Sequence, residues 1–455
     1  MRRAFCRSVR SNTMKPVFKR LVLIGLLVML PSVSLGAAVQ QKSNSMPVLT
    51  GSLTLQEVIA QVLLHNPELE AFSLEVRARE ARALQAGLTK NPNLLLDVEN
   101  VLGSGGFKVV QQTETTLLLS QVIELGGKRT KRQREALSHK NLAFWDYETA
   151  RMNILTRVAK AYTEALTAQE KLKLTQELVQ LSQNSYNAVK ARVIAGKVSP
   201  IHEVKAQVAL STTQIQLEQA ENNLKAAYRR LASFWGSMTP RFKQVTGHLY
   251  LIAPVPPFDT LARHMQSNPD LARWAAEMVQ RTAAIDLEEA NSVPNLKVGA
   301  GARWFEETND NAFVFELSIP IQLFDRNQGA IAEARHRLAK AKAEQRAVAL
   351  KLNAALAAGY TRMANAHSRV TSLKTKILPG ARTAFEAVNE GYRFGKFGYL
   401  EVLDSQRTWF NARSQFLDAL AEYHKAVADV ERLTGQAMSP YPEPRPQPRE
   451  REKQR

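Results

Sequence analysis

The residues able to hold metal ions or exchange protons are few and scattered in this 455-residue chain. Its eight histidines include no pair four residues apart, the spacing that places two ligands on one helical face. His202 and Glu203 could hold a metal ion weakly, although a hydrogen-bonded surface histidine is the more common role for such a residue. There is no glycine-rich phosphate loop, no zincin motif and a single cysteine, Cys6. The sequence therefore predicts neither an enzyme nor a resident metal or cofactor.

The N-terminus has the features of a secretory signal peptide. Residues 1–20 carry seven Lys or Arg and no acid, residues 21–30 are almost wholly apolar, and small residues follow Pro31. The apolar run has about ten residues, half of the ~20 that a membrane-spanning helix needs, although an anchor that is never cleaved is the alternative. We predict a signal peptide at residues 1–38, starting at Met1 or Met14. Because Cys6 lies within it, no cysteine is left for a disulfide or a lipid.

The charge of the chain raises the question of nucleic-acid binding. The formal net charge is +19 and the pI is near 10.0, and removal of the leader lowers the charge to about +12. The basic residues alternate with acids along the chain and are not grouped with aromatic residues into a stacking platform. We therefore expect no nucleic-acid partner.

The mature sequence is a tandem duplication, because matching motifs recur in register over a long stretch. The matched pairs are Asn66-Pro67 with Asn268-Pro269, at a spacing of 202 residues, and Gly196-Lys197 with Gly395-Lys396, at a spacing of 199. We predict a first repeat at residues 53–236 and a second at 257–435, joined by the proline-rich connector 253–258. The proline-rich, charged tail 439–455 is predicted to be disordered.

Each repeat is predicted to contain a helix, two strands and a long helical hairpin. The first helix begins near Thr54 and ends at Pro92, and the long helix runs from Gly126-Gly127 to Gly196, on the order of 100 Å. In the second repeat the helix that begins near Gly329 is expected to continue past Pro379-Gly380 with a kink. Helices of this length exceed what a compact domain needs and favour a coiled-coil-like assembly.

The predicted strands alternate between apolar residues and residues that are polar or very small. In the second repeat the apolar positions are Val298, Ala300, Ala302 and Trp304, then Phe313, Phe315, Leu317, Ile319 and Ile321. In the first repeat the alternation is weaker, over residues 94–99 and 113–123. Each strand has roughly the ten residues that a membrane strand needs. The pattern is typical of strands that separate lipid from a watery lumen.

Four strands are too few to close a barrel, and an open sheet edge is not viable in hydrocarbon. The chain must therefore pool its strands with copies of itself. Eight strands from two chains would leave an interior largely filled by side chains, so a duct for solutes favours three chains.

The two tandem repeats after a signal peptide resemble the TolC-type outer membrane efflux proteins over nearly all of the mature chain. The second-repeat turn at residues 394–406 and the strand-to-helix junction at 318–326 are similar to those of the family. The first-repeat turn at residues 195–203 is similar to that of the heavy-metal branch, the CzcC type.

The resemblance implies a mainly α fold with a transmembrane β-barrel: a homotrimer with a twelve-stranded barrel in the outer membrane and a long α-helical tunnel in the periplasm. It further implies docking to a periplasmic adaptor (membrane fusion) protein and to an inner-membrane pump of the RND type. The chain itself would be a passive exit duct, in contact with outer membrane lipid, for heavy-metal cations such as cobalt, zinc, cadmium or nickel.

The resemblance also suggests which residues carry the mechanism. Glu401 and Asp404, three residues apart on one helical face, correspond to the carboxylates that ring the pore at its periplasmic end; they could instead pair with Arg393 or Arg407. Such a ring would make closure depend on pH and salt. The turns would form the adaptor-docking surface and comprise Gly196, Lys197 and Ser199 in the first repeat and Gly395, Lys396 and Gly398 in the second. Gly196 and Gly395 are expected to adopt positive φ.

Two alternatives stay open on the sequence. A duct for drugs or for type I protein secretion would share the fold and differ in its partners and cargo. A periplasmic adaptor would be a soluble coiled-coil protein with a single helical hairpin, which the duplicated hairpins and the alternating strands disfavour.

Overall fold

The computed structural model describes residues 51–107 and 110–436. The predicted signal peptide at 1–38 and the tail at 439–455 lie outside these residues. The first repeat contains β1 (Gly51–Leu53), α1 (Leu55–His65), α2 (Pro67–Ala86), β2 (Asn93–Glu99), a short 3-10 turn (Gly105–Phe107), β3 (Glu114–Ile123), α3 (Lys128–Ile194) and α4 (Pro200–Ser233).

The second half of the chain has a similar order of elements. It contains β4 (Phe242–Val245), α5 (Phe258–His264), a 3-10 turn (Met265–Ser267), α6 (Pro269–Asn291), β5 (Leu296–Phe305), β6 (Asp310–Ser318), α7 (Gln328–Ser372), a π-helical turn (Leu373–Ile377), α8 (Leu378–Arg393) and α9 (Tyr399–Thr434). The strand β4 pairs in parallel with β1 and so links the second half of the chain to its beginning.

The long helices have the extent expected from the spacing of glycine and proline. Helix α3 begins after the positive-φ residue Gly127 and continues for 67 residues. In the second repeat, α7 continues into α8 without a break, so the predicted passage through Pro379 is confirmed. Pro379 lacks the N–H that an α-helical turn requires. The helix changes to a π-helical turn directly before α8, so the irregularity lies next to this proline.

The prediction of one uninterrupted first helix is wrong. Thr54 caps α1 through a reciprocal pair of hydrogen bonds with Glu57, as a capping box does. The helix then ends at Asn66, because the residue before a proline is driven out of the helical region, and Asn66 has φ −74° and ψ 118°. Helix α2 ends at Ala86, well before Pro92, and β2 has seven residues, fewer than the roughly ten expected.

The recurring Asn-Pro motif joins the two ends of each repeat. The buried side chain of Asn268 accepts a hydrogen bond from Asp270 N–H at the start of α6 and donates to the carbonyls of Arg432 and Leu433 at the end of α9, at 2.7, 3.1 and 2.9 Å. In the first repeat, Asn66 accepts from Leu69 N–H and donates to Phe234 O, at 2.9 and 2.7 Å. One amide therefore caps the N-terminus of one helix and the C-terminus of another.

The segment 245–253, which leads into the connector between the repeats, lies against helices α3 and α9. The Tyr423 hydroxyl accepts a hydrogen bond from Ala253 N–H and donates to Ala253 O, both at 3.0 Å. His424 Nε2 lies 2.8 Å from Leu249 O, and burial lowers the pKa of this histidine. The amide of Gln169 on α3 pairs with the backbone of Val245 in both directions, at 2.9 and 2.7 Å. These contacts fix the connector on the helical hairpins.

Replacement of Asn268 by alanine should lower the free energy of unfolding by about 2–3 kcal/mol, because a helix cap and two buried hydrogen bonds are lost together. Asn268→Asp keeps the acceptor but loses the donor, so it should be no more stable than Asn268→Ala. Thermal unfolding of the detergent-solubilised protein, followed by circular dichroism, measures both. Asn187→Ala, on an exposed face of α3, is the control and should change little; an equal loss there would contradict the double-cap role.

Candidate functional site

The four long strands form one antiparallel sheet in the order β2-β3-β5-β6. The two repeats meet in the middle of this sheet, where Glu114–Ile123 pairs along its whole length with Leu296–Phe305. Within the described residues β2 and β6 each pair on one side only, so the sheet has two free edges. Their unpaired N–H and C=O groups require a partner if the sheet is to lie in hydrocarbon.

One face of the sheet is apolar and exposed, as the alternation in the sequence predicts. Phe313, Phe315 and Leu317 on β6 are 85%, 81% and 71% exposed. The register places further exposed apolar residues on the same face: Leu94, Leu96, Val98, Leu117, Leu119, Ala300, Ala302 and Trp304. So large an apolar surface marks a contact with lipid or with protein.

The opposite face carries charged groups that pair across the strands. Arg303 on β5 binds Glu114 on β3 at 2.9 Å and lies 3.9 Å from Glu99 on β2, while Lys297 binds Glu316 on β6 at 2.8 Å. Gly301 is required on this sheet because a Cβ there would lie 2.1 Å from Leu117 O. Among the described helices, none combines the length and the apolarity needed to cross a membrane.

The two hairpin turns have the same backbone geometry. Gly196 and Gly395 adopt φ of +67° and +75°, which confirms the predicted positive φ. In both turns the glycine N–H and the following lysine N–H donate back to the end of the preceding helix, Gly196 to Val193 O and Lys197 to Arg192 O at 2.9 Å. The second turn repeats this pair of bonds from Gly395 and Lys396. The arrangement is a Schellman motif, which favours glycine at the left-handed position.

The remaining turn residues predicted to dock a partner lie at the surface. Lys197, Ser199, Lys396 and Gly398 are all exposed. Ser199 and Gly398 are the residues directly before α4 and α9, and the Ser199 hydroxyl makes no capping hydrogen bond. Apolar side chains are exposed beside them, namely Ile194, Ile201, Phe394, Phe397 and Leu400.

A cluster between the two hairpins, which the sequence did not indicate, positions the turns relative to each other. The Arg192 guanidinium lies over the Tyr392 ring, 4.1 Å from its centroid, and donates to Tyr392 O at 3.1 Å. Tyr392 packs with Tyr399 and Val189 in a small apolar core. Arg192 and Tyr392 lie 200 positions apart in sequence, so their contact could be found only from the folded chain.

Glu401 and Asp404 lie together on the exposed side of α9, one turn after the second hairpin turn. They line a shallow groove whose other wall is formed by Ala381, Ala384 and Val388 on α8. In the described part of the chain no Lys, Arg or His lies within 4 Å of either carboxylate, so pairing with Arg393 or Arg407 is not observed. Gly398 leaves room for the Glu401 carboxylate, which lies 2.8 Å from where a Cβ on this glycine would be.

His202 and Glu203 do not converge on one point. The Tyr186 hydroxyl donates to Glu203 at 3.3 Å, whereas the His202 ring packs edge-on against Tyr399, with 6.4 Å between centroids. Over residues 51–107 and 110–436, no group of three or more His, Cys, Asp or Glu is arranged to hold a metal ion.

The family model described as outer membrane efflux protein matches this chain at residues 58–237 and 261–436. Among curated proteins, the cobalt-zinc-cadmium resistance protein CzcC of Cupriavidus metallidurans is 32% identical over 91% of this chain and 98% of its own length. The nickel-cobalt-cadmium resistance protein NccC of Alcaligenes xylosoxydans xylosoxydans is 27% identical over 69% of this chain and 72% of its own length.

Solved structures of channels share the fold at lower identity. The chain of CusC aligns with a TM-score of 0.72 and 16% identity over 84% of this chain and 91% of its own. The outer-membrane channel OprN aligns with a TM-score of 0.69 and 18% identity over 84% of this chain and 89% of its own. The order of helices and strands described above is therefore that of a known class of channels.

Gly395→Ala should destabilise the protein by roughly 1 kcal/mol, because the left-handed backbone at this turn costs about that much for a residue with a Cβ. Gly380→Ala is the matched control, since Gly380 lies within α8 at a position open to added atoms. It should be neutral or stabilising by about 0.5–1 kcal/mol. In thermal unfolding, Gly395→Ala should lower the midpoint and Gly380→Ala should leave it unchanged or raise it; an equal decrease in both variants would contradict this role of Gly395.

Proposed function

The chain belongs to the outer membrane efflux protein family, and from this we propose that three copies assemble into the exit duct of a heavy-metal efflux system. As a member of the family it is an outer membrane channel subunit with its helices in the periplasm. Each copy would contribute the tandem units 53–236 and 257–435. The observation that carries the assembly is the sheet with two free edges and one exposed apolar face.

If copies of the chain close the sheet into a barrel, both the free edges and the exposed apolar face are accounted for. If β6 of one copy pairs with β2 of the next, every strand has a hydrogen-bonding partner on both sides. The face with Phe313 and Phe315 then meets lipid, and the face with Arg303 and Lys297 lines a watery interior. Three copies supply twelve strands, enough for an open lumen, whereas the eight strands of two copies would be filled by side chains.

The hairpin turns are proposed as the surface that meets a periplasmic adaptor and, through it, an inner-membrane pump of the RND type. Their support is geometric: both turns are Schellman motifs, both present an exposed lysine, and the Arg192–Tyr392 contact joins the two hairpins beside them. A docking surface built on fixed backbone loses little conformational entropy on binding. The chain would catalyse no reaction and would supply a conduit, while the pump selects the cargo.

Heavy-metal cations are the proposed cargo. The support is the relation to proteins named for cobalt, zinc, cadmium and nickel resistance, one of them similar over almost its full length. Glu401 and Asp404 add a physical reason, since neither carboxylate is neutralised by a neighbouring base within the described chain. Carboxylates gathered from three copies around a narrow opening would attract cations and repel each other. A pH- and salt-dependent opening follows.

Deletion of the gene should increase the sensitivity of the host to at least one of cobalt, zinc, cadmium and nickel, because the exit duct is lost. The minimal inhibitory concentration of each metal, and of a set of common drugs, is measured in the parent, the deletion strain and the strain complemented with the intact gene. Equal survival of parent and mutant on every metal would discard metal cargo. A drop confined to drugs would assign the duct to organic solutes.

The double variant Glu401→Gln, Asp404→Asn should lower the preference for cations over anions of the channel reconstituted in a planar bilayer, because the fixed negative charge at the opening is removed. Reversal potentials in a KCl gradient give this preference. Glu390→Gln, at an exposed position of α8 on the other side of the turn, should leave it unchanged. Equal selectivity of the double variant and the intact protein would rule out the carboxylate ring.

A further inference from the structure

A polar pocket away from the hairpin turns lies between α3, α6 and α7. Three side chains meet in it, Glu135 and His139 one turn apart on α3 and Gln280 on α6. Glu135 Oε1 lies 2.8 Å from His139 Nε2, and Gln280 Nε2 lies 3.1 Å from each of these two atoms. The three polar atoms therefore form a nearly equilateral triangle, contributed by two helices.

Hydrogen bonding alone does not satisfy this triangle. His139 Nε2 carries either a proton or a single lone pair. With the proton it can donate to Glu135, but it then faces the amide N–H of Gln280, which is also a donor. With the lone pair it can accept from Gln280, but its short contact with the Glu135 carboxylate is then a contact between two acceptors. One of the three contacts is unfavourable in either state.

Gln280 supplies a second, independent sign of a missing partner. Its side chain is 2% exposed, and Oε1 makes no hydrogen bond within the described chain. A buried amide oxygen without a partner costs free energy. The two ends of a glutamine amide are distinguished only by their hydrogen bonds, and a half-turn about the last side-chain bond exchanges them. That turn would bring Oε1 to face Glu135 and His139 and would place Nε2 at the position that Oε1 now occupies.

We propose that Glu135, His139 and the turned amide oxygen of Gln280 bind one divalent transition-metal ion. An ion about 2.1 Å from all three atoms would sit on the order of 1 Å outside their plane, with its other positions open to water. The cation attracts the carboxylate, the imidazole lone pair and the amide oxygen alike, so each unfavourable contact becomes a ligand bond. The sequence predicts no resident metal because Gln280 is remote from the α3 pair along the chain.

The surrounding charges set the class of ion and the strength of binding. The two arginines that line the pocket, Arg281 and Arg337, are paired with Glu277 and Glu333. Glu288 accepts hydrogen bonds from Asn327. An imidazole among oxygen ligands favours cobalt, nickel or zinc over magnesium or calcium, and few uncompensated negative charges make the ion exchangeable.

The site is tested with the intact, tag-free protein in detergent and with Co²⁺ as the probe, followed by its visible absorption and by isothermal titration. The intact protein should bind one Co²⁺ per chain at this site, displaced by Zn²⁺ and unaffected by Mg²⁺. His139→Ala should weaken that binding by more than about tenfold, with unchanged circular dichroism. His336→Ala removes an exposed histidine outside the pocket and should bind as the intact protein does.

The variant Gln280→Glu distinguishes a metal site from a group of hydrogen bonds that only joins the two helices. A second anionic ligand should tighten Co²⁺ binding by about tenfold or more, and added Co²⁺ should restore any stability lost to repulsion between Glu135 and the new carboxylate. Absence of a saturable site in the intact protein, or equal affinity in His139→Ala, would overturn the proposal. Destabilisation of Gln280→Glu that Co²⁺ does not relieve would overturn it as well. None of these results depends on which solute the channel exports.

Discussion

A four-stranded sheet with one exposed apolar face and two free edges is the constraint on which the rest of the structure depends. Backbone groups at an open edge cannot stay unpaired in hydrocarbon, where no water replaces the missing partner. Within the described residues, β2 at one edge and β6 at the other lack a second partner, which in hydrocarbon a further chain would have to supply. The same constraint orients the sheet, because Phe313 and Phe315 are tolerable against lipid and the paired charges of Arg303 against water. The orientation of the sheet also sets the orientation of the helices that follow its strands.

The duplication matters because it repeats junctions as well as elements. Asn66 and Asn268 each cap the start of one helix and the end of another, so every repeat is closed on itself by a single buried amide. Gly196 and Gly395 terminate the hairpin helices with the same two backbone hydrogen bonds. In proteins most of the stability of a helix comes from the surfaces it packs against. The second helix of each hairpin, α4 or α9, therefore follows a glycine turn at its start and is capped by a buried amide at its end.

The distribution of charge along the hairpins changes towards the turns. In the middle, acids on one helix face bases on its neighbour, as in Lys171 with Asp418 at 2.6 Å and Arg413 with Glu177 at 2.5 Å. Such exposed pairs contribute little to stability, but they leave little net charge on the wall. Glu401 and Asp404 have no such partners in the described chain. In the proposed assembly they would place an unbalanced charge where it can act on a passing ion.

The sequence by itself determined the duplication, the long helices, the two positive-φ glycines and the one-sided strands, because each follows from periodicity or from a local backbone requirement. One helix prediction failed, because the apolar spacing predicts a single helix where the structure has two, separated just before Pro67. The missing N–H of proline outweighs the hydrophobic pattern there. The tertiary structure decided which distant groups meet: Arg192 with Tyr392, Asn268 with the end of α9, and Gln280 with the Glu135–His139 pair. A sequence records spacing along one chain, whereas these contacts depend on how rigid helices pack side by side.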